Sequence, residues 1–415
     1  MRILLWHGYL LGGTGSNVYT RALARAWSLA GHDVVVVCQE PHPEQYDLAG
    51  ARVFRPNVGG LLPVFVLDRY EGLEAKLLQD FTRAERERYV ALNATALGAQ
   101  LPADLVFANH VLLGAPVGRA SGLPFAVKAH GSELEYSMRG NPELAEWGRQ
   151  TLAHAKAVFV GSAHIRGVLE EVVGQVERVH EVPPGVDVDE FRPEARDVAV
   201  DRLIVEAIGD PPNPGNAEER LPDEENAERF EAFFADDGPT VLYFGKLIHN
   251  KGVQLLLDGI RESDARAVIV GFGDHRAYLE SIAPVGTLFT GPLEHRHLVH
   301  LLSAVDATVV PSIFPEAFGM VAAEAAAAGC PPLVARHSGL AEVAEGLESA
   351  YPPEQRHLVS FESGNVGDLW MKLRELLELG RERRTELGAA ARSAVVERWS
   401  WTSVAARLLR PFALP

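Results

Sequence analysis

Ala307-Thr308-Val309-Val310, then Pro311-Ser312-Ile313-Phe314-Pro315-Glu316-Ala317-Phe318-Gly319, then Met320-Val321-Ala322-Ala323-Glu324 is an apolar run, a turn-rich loop and a small-residue helix. Strand, loop and helix in that order form the repeating unit of a parallel sheet. Working outward, the same unit recurs. Strands are expected at Val241-Phe244, Ala267-Val270, Leu288-Thr290 and Leu333-Ala335, with helices near Val253-Arg261, His275-Ile282, His295-Ala304, Val366-Leu379 and Arg381-Glu397. The first half repeats the pattern. Strands are expected there at Ile3-Trp6, Val34-Cys38, Asp104-Ala108, Phe125-Ala129 and Ala157-Val160, and helices at Ser16-Ala30, Asp80-Leu97, Pro142-Ala155 and His164-Val173. Two such sets, separated by a polar, proline-containing stretch, predict an α/β chain of two doubly wound domains. In such sheets ligands collect at the carboxyl ends of the strands, so the strand-to-helix loops hold the chemistry.

The bulk properties agree. A chain of 415 residues exceeds what one hydrophobic core usually organises. The N-terminal apolar run Ile3-Leu4-Leu5-Trp6 is too short for a signal-peptide core and lacks a small-residue cleavage site, so it reads as a first strand. No apolar run is long enough to cross a membrane. Cys38 and Cys330 lie far apart in apolar settings, which argues against a disulfide framework and for a cytoplasmic location. Asn93-Ala94-Thr95 matches a glycosylation sequon but carries little weight without a secretory signal. A formal charge of −17 excludes a general nucleic-acid binder and a polybasic membrane anchor, while peripheral membrane contact stays open. More than half of that charge is local. From Glu206 to Asp237 there are eleven carboxylates and two arginines, a net of −9, in a stretch that reads as a solvated surface insertion.

Four loops carry candidate chemistry. Gly12-Gly13-Thr14-Gly15-Ser16 follows the first strand, where glycines allow close backbone approach and a helix start offers free N–H groups to a phosphate. The equal alternative is a tight turn with Ser16 as helix cap. It matches neither the dinucleotide fingerprint nor a P-loop. His130-Gly131-Ser132-Glu133 ends another strand. His130 is placed there to share a hydrogen bond or a proton, or else it and Glu133 cap backbone groups at the turn. Gly245-Lys246 and Lys251-Gly252 put two lysines after the first strand of the second half, suited to a diphosphate, though loop lysines are commonly just solvated. Gly271-Phe272-Gly273 closes the next strand and again allows close approach.

The quoted stretch holds two carboxylates eight residues apart, Glu316 and Glu324. Eight helical residues span roughly 12 Å, about the reach from a ribose across two phosphates to a sugar. Glu324 on an apolar helix needs a partner, which ribose hydroxyls would supply. The N–H groups of Ala317, Phe318, Gly319 and Met320 would face phosphate and sugar. The competing reading is a buried salt bridge at Glu324 and an exposed turn at Glu316.

Taken together, these segments resemble family-four retaining glycosyltransferases of the GT-B fold. The ordered set carries the resemblance: Gly12-Gly13, His130-Gly131-Ser132-Glu133, Pro184-Gly185-Val186-Asp187 with Phe191-Arg192-Pro193, Gly245-Lys246, Lys251-Gly252, and Glu316 with Glu324. It implies two Rossmann-like domains facing across a cleft, with a C-terminal helix returning to the first from Trp399 and Trp401 onward. Residues 1–186 with a return segment at about 396–415 would then form the acceptor side. Residues 187–395, including the acidic stretch at about 206–237, would bind the nucleotide-sugar. The resemblance further implies that Glu324 binds ribose hydroxyls and that Glu316 meets the donor sugar. Lys246, Lys251, Gly245, Gly271 and the Gly12-Gly13 backbone would surround the diphosphate, and His130 would lie beside the anomeric centre. Pro184-Gly185-Val186-Asp187 would be a hinge. The family most often has arginine where this chain has Lys246, and lysine cannot reproduce a bidentate guanidinium contact.

The implied activity is a hexosyltransferase that moves a sugar from a nucleoside-diphosphate-sugar to an acceptor hydroxyl with retention, by front-face displacement. No His/Cys ligand cluster stands out, so no obligatory cofactor or metal is expected, only the donor itself. A uridine nucleotide-sugar is the first donor to try. The acceptor is unread, with Tyr9, Asn17, His110 and Tyr136 pointed to by position alone. The rival functions are a sugar phosphorylase or nucleotide-sugar epimerase on the same fold, and a non-catalytic nucleotide-sugar sensor.

Overall fold

Apolar residues on both sides of short strands demand cover on both faces of a sheet, and helices between parallel strands supply it. The computed structural model describes residues 1–12, 15–65, 70–261 and 263–413. The chain divides into two units: Met1–Gly185 with Trp401–Pro415, and Val186–Ser400.

In chain order, the first unit runs β1 Arg2–Trp6, α1 Gly15–Leu29, β2 Asp33–Val37, β3 Arg52–Phe54, β4 Leu61–Val64, β5 Glu74–Leu77, α2 Arg83–Gly98 and β6 Leu105–Asn109. It continues with α3 Gly114–Ala120, β7 Phe125–Lys128, α4 Pro142–Leu152, β8 Ala157–Val160, α5 Ala163–Val173 and β9 Val179–Glu181. Seven strands form one parallel sheet in the order β3-β2-β1-β6-β7-β8-β9, and β4 pairs with β5 apart from it. The order reverses between β1 and β6, the switch point where such sheets bind ligands. Alternation is visible along β1. Leu4 and Trp6 enter one core with Val35, Val37 and Val106, whereas Ile3 and Leu5 enter the other with Val34, Val36 and Phe107. The returning helix Trp401–Leu409 closes that second core through Val404, Ala405 and Leu408, and the Trp27 indole donates to the Ala405 carbonyl at 3.0 Å.

The second unit opens with α6 Arg196–Ile208 and α7 Asn226–Phe234. It proceeds through β10 Thr240–Phe244, α8 Val253–Ile260, β11 Arg266–Val270, α9 Arg276–Ile282, β12 Thr287–Phe289, α10 His295–Ala304 and β13 Ala307–Val310. Then come α11 Met320–Ala327, β14 Pro332–Ala335, α12 Ser338–Glu348, β15 Ser360–Phe361, α13 Val366–Glu378 and α14 Arg381–Trp399, before the return helix, α15. Six parallel strands in the order β12-β11-β10-β13-β14-β15 place this unit's switch point between β10 and β13. Among the described residues no helix is long and apolar enough to cross a membrane.

The acidic stretch follows its sequence reading only in part. Residues 211–220 are exposed apart from Asn213, but the flanking α6 and α7 send Leu203, Ala207, Phe230 and Phe234 into the core. Between them, Asp223 is buried and takes both arms of the Arg276 guanidinium at 2.8 and 2.5 Å, while its N–H donates to the Thr290 carbonyl at 2.9 Å. Carboxylates occupy the outward face of an amphipathic pattern whose inward face is aromatic, and a charge count alone hides that pattern.

Candidate active site

In the second unit, loops at the carboxyl ends of β10, β11 and β13 touch backbone to backbone. A Cβ at Gly271 would sit 1.8 Å from the Gly245 carbonyl oxygen, so Gly271 serves loop-on-loop packing. The Gly271 N–H donates to Gly291 at 2.9 Å and the Gly245 N–H to Val270 at 3.0 Å. Gly252 has φ +71°, and a Cβ there would lie 1.9 Å from the Pro311 carbonyl oxygen. Only glycine lets this turn lie flat against Pro311-Ser312-Ile313. The Ile313 N–H donates to Asn250 at 3.0 Å and seals the contact.

That contact brings Lys251 to Glu316, and the two form an ion pair. Glu316 is held from behind: its N–H donates to the Ser338 hydroxyl at 2.8 Å, and the Gly339 N–H donates to its carbonyl at 3.0 Å. Ser338 in turn lies 3.0 Å from His337 Nδ1, whose Nε2 donates to the Ser312 carbonyl at 2.7 Å. Lys246 is exposed, and its carbonyl accepts from the Tyr243 hydroxyl at 2.8 Å.

The helix of the quoted stretch starts only at Met320, so Glu316 and Glu324 do not share eight helical residues. Gly319 begins α11 in the left-handed region with no side-chain cap, which leaves helix-start N–H groups for a ligand. Phe318 is buried edge-on against Trp399 and belongs to the core, while Ala317 is exposed. Burial pushes the Glu324 carboxyl up to about 7, a rise that His295 opposes and Glu190 reinforces. Among the described residues no ion pair holds it. The arrangement inverts the competing sequence reading, because the ion pair lies at Glu316 and the unpaired carboxylate at Glu324.

In the first unit, three imidazoles gather at the carboxyl ends of β1, β6 and β7. The rings of His7 and His110 lie 5.8 Å apart, and those of His110 and His130 4.8 Å apart. Each has one nitrogen committed. His7 Nε2 meets Asn17 Oδ1 at 2.7 Å, His130 Nε2 meets Asn109 Oδ1 at 2.7 Å, and His110 Nδ1 meets a Glu133 oxygen at 3.2 Å. Glu133 also accepts the N–H groups of His130 and Val111, each at 3.2 Å, so it does cap the turn. Burial works against the Glu133 carboxylate, yet His110 and backbone donors bring it below the ordinary range. Burial, then His110, Lys128 and His7, hold His130 well below the usual histidine range, and burial with His110 brings His7 down to about 3. Lys128 donates to the Val182 carbonyl at 2.5 Å, and burial lowers it to about 7.

Gly12 packs against the Tyr46 hydroxyl and its carbonyl accepts from Asn17 at 2.5 Å, while Gly13 lies outside the described residues. Because α1 starts at Gly15, Ser16 falls within its first turn. Sequence reasoning pointed to Asn17 by position alone and passed over Glu40 and Asn109. Glu40 is buried and anchors the glycine loop by accepting the Leu11 N–H at 3.0 Å. Asn109 ends β6 at the switch point, a position open to reading from strand order. The chain crosses between the units at Gly185-Val186, where the Val186 N–H donates to the Trp399 carbonyl at 2.7 Å, and recrosses at Ser400-Trp401.

The chain is similar to known proteins over both units. A family model described as "Glycosyl transferase 4-like domain" matches residues 14–185, and one described as "Glycosyl transferases group 1" matches residues 224–394. An uncharacterized glycosyltransferase of Methanocaldococcus jannaschii is 36% identical over 117 residues, 26% of this chain and 30% of that protein. The D-inositol 3-phosphate glycosyltransferase of Xylanimonas cellulosilytica is 29% identical over 281 residues, 64% of this chain and 59% of that protein. The chain thus spans less than two thirds of the length of either relative. Among solved structures, Anabaena HepE in complex with UDP matches in fold with a TM-score of 0.69 at 16% identity, over 99% of both chains. With one glycosyltransferase model over each half and two doubly wound parallel sheets beneath them, the chain belongs to the family-four glycosyltransferases of the GT-B fold.

Proposed function

We propose that this glycosyltransferase takes its sugar from a nucleoside-diphosphate-sugar, held by the second unit, and transfers it with retention to an acceptor hydroxyl. One observation carries the reading. On the switch-point loops and helix of the second unit lie a lysine-carboxylate pair, an uncapped helix start and a half-buried carboxylate with no ion pair among the described residues. Lys251, Lys246 and the start of α11 meet the diphosphate, on which negative charge grows as the bond to the anomeric carbon breaks. Glu324 accepts hydrogen bonds from the ribose hydroxyls, which return to it the solvation that burial removed. Glu316, once released from Lys251, receives the donor sugar's hydroxyls. The acceptor hydroxyl attacks from the face the nucleotide leaves, and its proton passes to the departing phosphate, so no side chain acts as nucleophile. For His130 the family pattern implies a role toward the donor sugar. Residues 1–186 with the return segment serve the acceptor, and residues 187–395 the donor.

UDP is the first nucleotide to test, since HepE was crystallised with it. A ligand that binds only the folded chain raises its melting temperature. UDP and UDP-glucose, set beside GDP and GDP-mannose, should therefore raise it where the free sugars do not. A melting temperature that no nucleoside diphosphate moves would sink the donor assignment. Incubation with donor and orthophosphate separates the rivals, since a phosphorylase yields sugar-1-phosphate and an epimerase yields an altered donor.

A further inference from the structure

We propose that Asn109 is a positioning residue that presents His130 as a neutral ring with its proton on Nε2 and its lone pair on Nδ1. The inference rests on the reading of His130 as a group facing the donor sugar, and it is argued from a chain of donors that all point one way. The chain starts at the Ser16 carbonyl, which can only accept. The Thr20 hydroxyl lies 2.7 Å away and spends its proton there. Its oxygen is thereby left to accept, and Asn109 Nδ2 donates to it at 3.0 Å. That choice orients the Asn109 amide, so its Oδ1 is the atom facing His130 Nε2 at 2.7 Å. An amide oxygen cannot donate, and the proton must sit on Nε2. Nδ1 is then a hydrogen-bond acceptor suited to a sugar hydroxyl.

The surroundings reinforce a neutral ring. Asn109 is fully buried. The groups around His130 are His7 beyond β1, the Tyr19 ring edge-on from α1 at 5.0 Å, His110 beyond β6, Lys128 on β7, and Glu133, which binds the His130 backbone N–H. None of these offers an anion to the ring itself. An imidazolium would meet Lys128 and two further imidazoles with no carboxylate of its own.

The test reads the tautomer directly. Long-range proton–nitrogen correlation spectra of the full chain, with His130 assigned through His130→Gln, should show the proton on Nε2 and none on Nδ1 between pH 6 and 8. Asn109→Asp replaces the amide with a carboxylate of the same shape. It should raise the His130 titration and carry the acid limb of kcat upward by about one pH unit or more. Because a buried aspartate threatens folding, Thr20→Val provides a second variant of nearly unchanged shape. It frees the Asn109 amide to turn, so both His130 tautomers should appear and kcat should fall about fivefold, with the donor KM within about twofold. A wild-type proton on Nδ1 overturns the proposal, and so does a Thr20→Val spectrum identical to wild type. A fully active His130→Ala variant would instead remove the donor-sugar role of His130 and leave the tautomer result standing.

Discussion

Replacing Glu316 by glutamine should tighten the binding of free UDP while slowing transfer. Lys251 and Glu316 are paired, with 31% and 21% of their side chains exposed. A diphosphate that recruits Lys251 must first take it from that carboxylate. Such partly exposed pairs contribute about 0.2–1 kcal/mol, and the limited exposure favours the upper end. In Glu316→Gln nothing has to be given up, and about 1 kcal/mol corresponds to roughly fivefold tighter UDP at 25 °C. Removing a negative charge beside an anion site pushes the same way. UDP-glucose should not share the gain, because its sugar loses the carboxylate proposed to receive it. Isothermal titration calorimetry at low salt measures both ligands. Repeating the UDP titration near 1 M salt should shrink the difference, since charges are then screened within about 3 Å. A variant that binds UDP no better than wild type, or worse, would refute the exchange of partners. An unaltered UDP affinity in Lys251→Met would remove Lys251 from the diphosphate altogether.

Glu324→Gln should separate stability from binding. The carboxyl titrates near 7, above an ordinary carboxylate, so its burial penalty is present above about pH 7 and fades as pH falls toward the ordinary range. Urea unfolding at pH 8 should show the variant more stable by on the order of 2 kcal/mol, with little difference near pH 4.5, and UDP binding at least about tenfold weaker. His7, held neutral to about 3, makes stability drain away as pH falls below the ordinary histidine range. His7→Gln should flatten that decline by about 1.4 kcal/mol per pH unit between roughly pH 6.5 and 4. Gly252→Ala should cost about 2 kcal/mol or more in urea unfolding, because its Cβ meets the Pro311 carbonyl. Lys246→Arg should hold or improve UDP affinity in calorimetry through a bidentate contact, whereas Lys246→Ala should weaken it.

The central strands were readable because burial on both faces writes continuous apolar runs, as at Val34-Cys38 and Ala307-Val310. Of the strands at the sheet edges, β12 was read at Leu288-Thr290 and the other three were not. β3, β9 and β15 have three, three and two residues, each sits at the end of its sheet, and none carries an apolar run. Helix α3, Gly-Ala-Pro-Val-Gly-Arg-Ala, has the composition of a turn and is helical because its residues are buried against their neighbours. Helix α12 is different. Leu340, Val343, Ala344 and Leu347 have helical spacing and could have been read. At the site, residue types at strand ends were legible, and their partners were not. Glu316 stands 65 residues from Lys251, and Asn109 stands 89 from Thr20. Pairings across such separations exist only once strand order is known.

The acidic stretch shows what that missing pairing does to an electrostatic argument. Arg276 opens α9 and Arg296 lies at the start of α10, both beside strand ends where an anion would be drawn to them. Asp223 takes Arg276 with both oxygens, and Asp210, Glu206 and Glu294 surround Arg296. Four of the eleven carboxylates between Glu206 and Asp237 (Glu206, Asp210, Asp223 and Asp237) are thus paired with arginines of their own unit, most of them far off in sequence. Lys251 is occupied as well, by Glu316, but through a single pair that a diphosphate can displace. Asp223 is buried and bidentate, so Arg276 is not released on similar terms. Lys246 is exposed, with no ion pair among the described residues. Among the described residues the lysines and arginines at this sheet edge therefore sort by how firmly each is already held, and Lys246 and Lys251 are the ones the proposed diphosphate would engage at least cost.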